Sequence, residues 1–161
     1  MKKRMLHLSL LGAAAALLIS SAAEAAGPFQ FFSVAPCRIV DTRNAPGPLG
    51  GPALAAGSPR NFPIAGQCGV PTGAKAATLN VTIVQPTLDG FFKIYPFGTT
   101  PPTVSTINAA AGEPALANGA IVPLTTPGTN HITMVYGTAV PGGTAHAIID
   151  VTGYFCTPTC P

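Results

Sequence analysis

Apolar and polar residues alternate between positions 76 and 85, and this is the clearest pattern along the chain. A period of two residues is typical of a β-strand that has one face in the protein core. Residues 91–97 continue the same period, and Pro86, Asp89 and Gly90 between the two runs favour a turn. The pattern therefore predicts a β-hairpin. The residues expected to face the core are Ala77, Leu79, Val81, Ile83, Phe92 and Ile94.

The opposite face of the second run is the first candidate for a binding surface. Side chains alternate between the two faces of a strand, so a core position for Ile94 places its odd-numbered neighbours outside. A cluster of exposed aromatic rings is typical of a contact surface. These rings could stack on sugar rings or contact a protein, unless a flanking loop covers them. The predicted binding residues are Phe91, Lys93, Tyr95 and Phe97.

Short strand-like segments recur along the rest of the chain. No segment keeps the apolar spacing of 3.6 residues that is typical of an amphipathic helix. The pattern predicts an all-β protein, a single antiparallel β-sandwich that is Ig-like or jelly-roll-like and has long Gly/Pro loops. The predicted strands are residues 29–34, 37–42, 60–64, 76–85, 91–96, 103–108, 120–124, 130–136 and 144–155.

Residues 44–59 are rich in glycine and proline, and we refer to them as the Gly/Pro loop. Such a composition excludes a helix or a central strand. A loop of this length within a compact domain is either functional or a packed surface loop, and we favour the packed loop.

The first 25 residues have the features of a secretory signal peptide. Lys2, Lys3 and Arg4 precede an apolar run at positions 8–19, and small residues flank Glu24 at the expected cleavage site. The apolar run is shorter than the roughly 20 residues that span a bilayer, which disfavours an uncleaved anchor. We expect cleavage after Ala25, a secreted single domain at residues 26–161, and no transmembrane anchor after cleavage.

Removal of the leader changes the charge of the chain. Three of the eight Lys and Arg residues and one of the five acidic residues lie in the leader, so five basic and four acidic residues remain, a balance of +1. This balance provides no basic stripe that could neutralise phosphates. We therefore do not expect nucleic acid as a partner.

The four cysteines are even in number, and disulfides are the expected state in an exported chain. Three pairings are possible, and we favour Cys37 with Cys68 and Cys156 with Cys160. The first pair brackets the Gly/Pro loop, and the second closes a short turn at the C-terminus. A metal or redox site at the last pair is less plausible, because the spacing is not Cys-x-x-Cys and zinc needs two further ligands.

Several charged residues are candidates for a buried polar cluster. Asn80 and Asp150 occupy equivalent positions in two similar strand segments, so they could be neighbours across a sheet. Asp41 or Asp150 could pair with Arg43 and stabilise the sandwich. The alternative is a calcium ion bound by the two aspartates, but this needs more oxygen ligands than the sequence offers. The predicted structural cluster is Asp41, Arg43, Asn80 and Asp150.

Candidates for catalysis are few. His131 and His146 are the histidines outside the leader, and neither histidine nor any serine lies in a recognisable nucleophile or base motif. A blue-copper site using both histidines with Met134 and Cys156 lacks the close ligand spacing that such sites require. His146 fits better as a strand residue satisfied by a neighbour. We expect no catalytic residue, metal or cofactor.

Four motifs resemble a bacterial secreted β-module. They are CRIVDTR at 37–43, LNVT at 79–82, GFFKIYP at 90–96 and DVTGYF at 150–155. The resemblance extends over residues 36–155. That module occurs singly or in tandem in cell-surface proteins and beside cell-wall hydrolases, and it has no established activity. The resemblance implies an extracellular β-domain and assigns no catalytic residue.

These observations predict a non-catalytic binding or structural module in the extracellular space, at the cell surface or in the periplasm. Its partners could be cell-envelope glycan, a protein or the chain itself. The absence of tryptophan, the side chain best suited to stacking on sugars, weighs against a strong glycan site. The alternatives are a self-associating envelope subunit and a secreted hydrolase with an unrecognised site.

Overall fold

The structure is a computed structural model that describes residues 28–158 and 160. The predicted signal peptide, residues 1–25, lies outside them. The described part contains no helix, which confirms the all-β prediction. Among these residues no helix is therefore long and apolar enough to cross a membrane. The nine strands are β1 (Gln30–Asp41), β2 (Leu54–Ala55), β3 (Arg60–Phe62), β4 (Ala76–Val84), β5 (Gly90–Pro96), β6 (Ile107–Ala109), β7 (Leu116–Pro123), β8 (Ile132–Thr138) and β9 (Thr144–Cys156).

The strands form two antiparallel sheets that pack together as a β-sandwich. The larger sheet has the order β1-β9-β4-β7, with the short β2 pairing with β9, and the smaller sheet has the order β3-β8-β5-β6. Without β2, the remaining eight strands have the strand order of a jelly roll, which consists of two Greek keys. Of the two sandwich types that the sequence leaves open, the strand order therefore selects the jelly roll.

The predicted hairpin is wrong, because its two strands lie in different sheets. β4 pairs with β7 and β9, whereas β5 pairs with β6 and β8. The connection at residues 85–89 crosses from one sheet to the other, and Gln85 begins it with a positive φ of 47°. Alternation identifies strands but not their partners, so a turn-rich connection fits both arrangements.

The buried faces of β4 and β5 are those that the alternation predicts, and all six predicted core residues are buried. They pack in a core shared by both sheets, where Tyr136 meets Phe92 edge-on with ring centroids 5.9 Å apart. The Tyr136 hydroxyl donates a hydrogen bond to the carbonyl of Leu88 at 2.5 Å. Burial raises the pKa of Tyr136, so the phenol stays a neutral donor. A side chain at Gly90 would collide with this ring, which explains the glycine there.

The short β2 was not predicted, and three other strands differ from their predicted bounds by more than two residues. β1 joins the segments 29–34 and 37–42, because its pairing with β9 continues through two register shifts instead of breaking. β6 is reduced to Ile107–Ala109, and β7 begins at Leu116 instead of position 120. Register shifts and edge strands depend on neighbouring strands, which local alternation does not reveal.

Both predicted disulfides form, Cys37–Cys68 and Cys156–Cys160. The first has a sequence separation of 31 and joins β1 to the connection between β3 and β4. The second has a separation of 4 and closes the turn after β9. All four cysteines are therefore paired, which is typical of a protein from an oxidising compartment.

Candidate functional site

Four charged side chains form ion pairs on the outer face of the larger sheet. Arg43 donates to both carboxylate oxygens of Asp41, at 2.8 and 2.6 Å. Arg38 reaches Asp41 at 3.4 Å and Asp150 at 2.8 Å. Arg38 and Asp150 are directly opposite residues of β1 and β9. We call Arg38, Asp41, Arg43 and Asp150 the charged cluster.

The charged cluster differs from the predicted polar cluster in one partner and in its burial. The pair between Asp41 and Arg43 is confirmed, and Asn80 lies directly opposite Asp150 as predicted. Asp150 pairs with Arg38 instead of Arg43, because Arg38 stands beside it on the adjacent strand. The cluster is buried only at Asp41, whose side chain is 7% exposed, since the side chains of Arg38 and Arg43 are 49% and 46% exposed.

The carboxylate of Asp41 is the centre of the charged cluster. Hydrogen bonds from the Arg43 side chain lower the pKa of Asp41 to about 2, although burial of the carboxyl group opposes this shift. The backbone N–H of Arg43 also donates to Asp41, at 3.2 Å. A calcium ion would need the same oxygens that the two arginines already use. The arrangement is therefore a structural clasp between β1, β9 and the turn that follows β1.

The Gly/Pro loop is folded around the guanidinium group of Arg60. This group also lies 5.0 Å from the ring centroid of Phe62. Burial lowers the pKa of Arg60, but a guanidinium remains charged in proteins. The loop is thus packed around a cation that satisfies its carbonyl groups. The carbonyl oxygens that accept from Arg60 belong to Gly47, Gly50, Gly51 and Pro52.

His131 is held by the backbone at both ring nitrogens. Its Nδ1 accepts the N–H groups of Ile64 and Ala65, at 2.8 and 3.2 Å. Its Nε2 lies 3.0 Å from the carbonyl oxygen of Gly128, so the proton resides on Nε2. Burial lowers the pKa of His131, which keeps the ring neutral. This histidine joins the connection after β3 to the loop before β8.

His146 is satisfied by a neighbour, as the sequence predicts. Its Nδ1 lies 3.1 Å from Oγ1 and 3.0 Å from the carbonyl oxygen of Thr42. Cys156, the sulfur ligand of the copper alternative, is bonded to Cys160. Within residues 28–158 and 160, no three His, Cys, Asp or Glu side chains come together as a group that could hold a metal ion.

The predicted aromatic ladder on the outer face of β5 is wrong at Tyr95. This residue is only 6% exposed, although it is not part of the main core cluster. The loop after β5 folds back along this face, and Nζ of Lys93 donates to the carbonyl of Pro102 at 2.8 Å. A flanking loop therefore covers part of the predicted surface. Phe97, at 36% exposed, lies one residue beyond β5.

Phe91 stays at the surface, at the opposite end of β5. Three directly opposed residues, Asn108, Phe91 and Gly137, form a row across β6, β5 and β8. The ring of Phe91 lies over Gly137, where a Cβ atom would collide with it. Nζ of Lys93 lies 5.5 Å from the ring centroid. Packing on the glycine thus holds the ring against the outer face of the smaller sheet.

Two open cavities share Phe91 and Asn108. Their volumes are about 530 Å³ and about 200 Å³, and the larger one is in the range of small-molecule sites. We call the surface that includes both cavities the Phe91 groove. Its polar lining residues are Asp89, Lys93, Thr103, Ser105 and Asn108.

The Phe91 groove combines an aromatic ring with amide, hydroxyl and charged groups. A ligand with an apolar face and a rim of hydroxyl groups fits this combination, and a sugar has both features. Asp89 accepts the backbone N–H of Ala111 at 2.7 Å, which fixes the loop at one end of the groove. The groove can therefore offer hydrogen bonds beside a positioned ring.

Sequence reasoning missed most polar residues of the groove. Asn108 meets Phe91 only because β6 pairs with β5, and alternation within one strand contains no signal of that pairing. It also missed the roles of Arg38 and Arg60. The signal for Arg60 is its position directly after the Gly/Pro loop, whose carbonyl groups need a donor. For Arg38, the signal is the spacing of three residues from Asp41.

The chain matches no family model, no curated protein and no solved structure.

Proposed function

We propose that the protein is an exported, non-catalytic binding module that contacts glycan of the cell envelope through the Phe91 groove. Two disulfides support export, because such bonds form and persist in oxidising compartments. An extracellular location also agrees with the resemblance of the chain to secreted cell-surface β-modules.

The observation that carries this proposal is the position of the Phe91 ring. One side of the ring packs on Gly137, and cavities lie beside it. The exposed Asn108 stands directly opposite Phe91 on β6, so its amide can donate and accept hydrogen bonds at the ring edge. An aromatic ring that is positioned before binding loses little conformational freedom when a ligand stacks on it.

The remaining polar side chains support a non-catalytic role. Both nitrogens of His131 are engaged by the backbone, and His146 is bound to Thr42. A general base must be free to take a proton from the reacting group. In the charged cluster, Asp41 is held in its ionised form by Arg43. These groups stabilise the fold, so ligand recognition is assigned to the groove.

A retention experiment with residues 26–161 on isolated envelope glycan tests the proposal. Phe91→Leu keeps an apolar side chain over Gly137 but removes the aromatic ring, and we expect retention to weaken at least tenfold. Phe31→Leu is the matched control, because Phe31 lies over Gly153 in the same way and is 52% exposed on the larger sheet. The control should bind like the parent protein.

The outcomes separate the alternatives. Retention that survives both Phe91→Leu and Asn108→Ala would overturn the groove as the binding site. Equal loss in Phe91→Leu and Phe31→Leu would show that apolar exposure in general is responsible. Binding to envelope protein but not to purified glycan would replace glycan with a protein partner.

A further inference from the structure

Apart from the two-residue β2, which pairs only with β9, the two sheets of the described residues end in four edge strands, and these are protected to different degrees. An edge strand exposes a row of backbone N–H and C=O groups that can pair with another chain. Proteins block such pairing with short strands, bulges, proline or charged side chains. In the described part of this chain, the edges are β1 and β7 in the larger sheet and β3 and β6 in the smaller sheet.

Three of these edges carry such protection. β3 and β6 have three residues each. β1 is long, but its register with β9 shifts twice, it contains Pro36, and it carries the cationic Arg38. The disulfide from Cys37 to Cys68 also places a second segment beside it. Regular addition of a further strand is unfavourable at all three edges.

β7 lacks every one of these devices. It runs for eight residues, Leu116–Pro123, and pairs with β4 in continuous register. It contains no charged residue, and its single proline is the last residue. Leu116 and Ile121 are 41% and 63% exposed. β7 is therefore a regular, uncharged and largely exposed edge.

We infer that β7 is a self-association surface, at which two copies of the chain pair through antiparallel β7 strands. The inference does not depend on the proposed glycan contact. In this arrangement a two-fold axis perpendicular to the larger sheet relates the two copies, and their larger sheets meet edge to edge. An isologous contact of this type is complete with two copies.

A second copy fits this edge because the strand is complementary to itself. Gly119 lies at the middle of β7, and the space that its Cβ atom would occupy is empty. With Gly119 on the axis, Ala117 of one copy stands opposite Ile121 of the other. A small residue thus meets a large exposed one on the same face, and this contact occurs twice. The absence of charge removes the like-charge repulsion that identical strands usually meet.

Sedimentation equilibrium of residues 26–161 over a range of concentrations tests the inference. The parent protein should show a reversible monomer–dimer equilibrium. Ile121→Lys places a charge on the outer face of β7 and should weaken association at least tenfold. Val140→Lys is the matched control, because Val140 is apolar and 56% exposed in the loop between β8 and β9. The control should associate like the parent.

Hydrogen exchange distinguishes pairing of β7 from other contacts. If the inference is correct, the amides of β7 that face away from β4 exchange more slowly as the parent concentration rises. A parent protein that stays monomeric at every concentration would overturn the inference. It would also fail if Ile121→Lys and Val140→Lys weaken association equally, or if protection rises elsewhere but not in β7.

Discussion

The charged cluster and the Phe91 groove lie on the outer faces of opposite sheets, and they use their polar groups in opposite ways. In the charged cluster, arginines and aspartates bind each other across β1 and β9. In the groove, Thr103, Ser105 and Asn108 are exposed around a positioned ring. The first region satisfies its polar groups internally, whereas the second offers them to solvent.

This difference supports the proposal that the binding site is the Phe91 groove and not the region of concentrated charge. From position 28 onward the chain has nine charged residues; four form the charged cluster and a fifth, Arg60, holds the Gly/Pro loop. More than half of these charged side chains therefore form ion pairs or hydrogen bonds within the fold. Ligand recognition is therefore expected where mainly uncharged polar groups surround an aromatic ring. Variants of the charged cluster should mainly lose stability, whereas variants of the Phe91 groove should mainly lose binding.

The largest loss of stability should follow removal of the disulfide beside the charged cluster. Cys37 adjoins Arg38, and the Cys37–Cys68 bond has a separation of 31 residues. In the chain-entropy model, its loss costs roughly 3 to 4 kcal/mol. The Cys156–Cys160 bond has a separation of 4, and its loss costs roughly 2 kcal/mol in the same model.

Urea unfolding of the two double Cys→Ala variants measures this difference. Both variants should keep any binding by the Phe91 groove under conditions in which they are folded. Equal losses for the two pairs would mean that loop length does not determine their contributions.

Arg60→Met should have the next largest effect, because it removes the donors on which the Gly/Pro loop is folded. We expect a loss of about 2 to 3 kcal/mol from carbonyl groups left without partners. Arg60→Lys should recover only part of this loss, since an ammonium group lacks the planar fork of a guanidinium. Thermal and urea unfolding measure both effects.

Lys75→Met is the control for Arg60, because it removes the same charge from an exposed side chain. Its stability should change by no more than about 0.5 kcal/mol. If Lys75→Met and Arg60→Met lose the same stability, net charge and not the loop contact is responsible.

Local sequence patterns predicted the parts of the fold that depend on one strand at a time. The buried face of β4, from Ala77 to Ile83, follows from alternation alone, and both disulfides follow from the spacing of the four cysteines in a chain that is predicted to be exported. The opposition of Asn80 and Asp150 was also predictable, because their strands share a local motif. Each of these predictions used a pattern within one strand, a motif that two strands share, or the positions of the cysteines.

The remaining features depend on contacts between segments far apart in sequence. The connection from β4 to β5 crosses between sheets because β9 and β7 occupy the places beside β4. Tyr95 is buried although its position in β5 is odd-numbered, because a loop covers part of that face. Arg38, and not Arg43, reaches Asp150 because β1 and β9 pair in one register. No local pattern contains this information.

Acid should expose the contribution of the charged cluster, with a smaller effect. The pKa of Asp41 is lowered from 3.8 to about 2, first by the Arg43 side chain. The folded protein thus binds this proton more weakly than the unfolded chain, so the contribution is present above about pH 4 and is lost between about pH 4 and 2. The full shift corresponds to about 2 kcal/mol, and solvent around the half-exposed arginines reduces it to about 1 to 2 kcal/mol.

Asp41→Asn should flatten the fall in stability between pH 4 and 2, as measured by urea unfolding at a series of pH values. Glu113→Gln, outside the charged cluster, is the control. An acid transition in Asp41→Asn as steep as that of the parent would show that other carboxyl groups govern acid unfolding.

The smallest effect on stability should come from Asn108→Ala in the Phe91 groove. Asn108 is exposed, so its removal should change the free energy of unfolding by no more than about 0.5 kcal/mol. Its amide nevertheless stands opposite Phe91, where a bound sugar would need a hydrogen-bond partner. Retention on glycan should therefore fall several-fold while urea unfolding stays unchanged. Asn61→Ala, another exposed asparagine on the smaller sheet, should leave retention intact. A large loss of stability in Asn108→Ala would instead show that this residue, like those of the charged cluster, has a structural role.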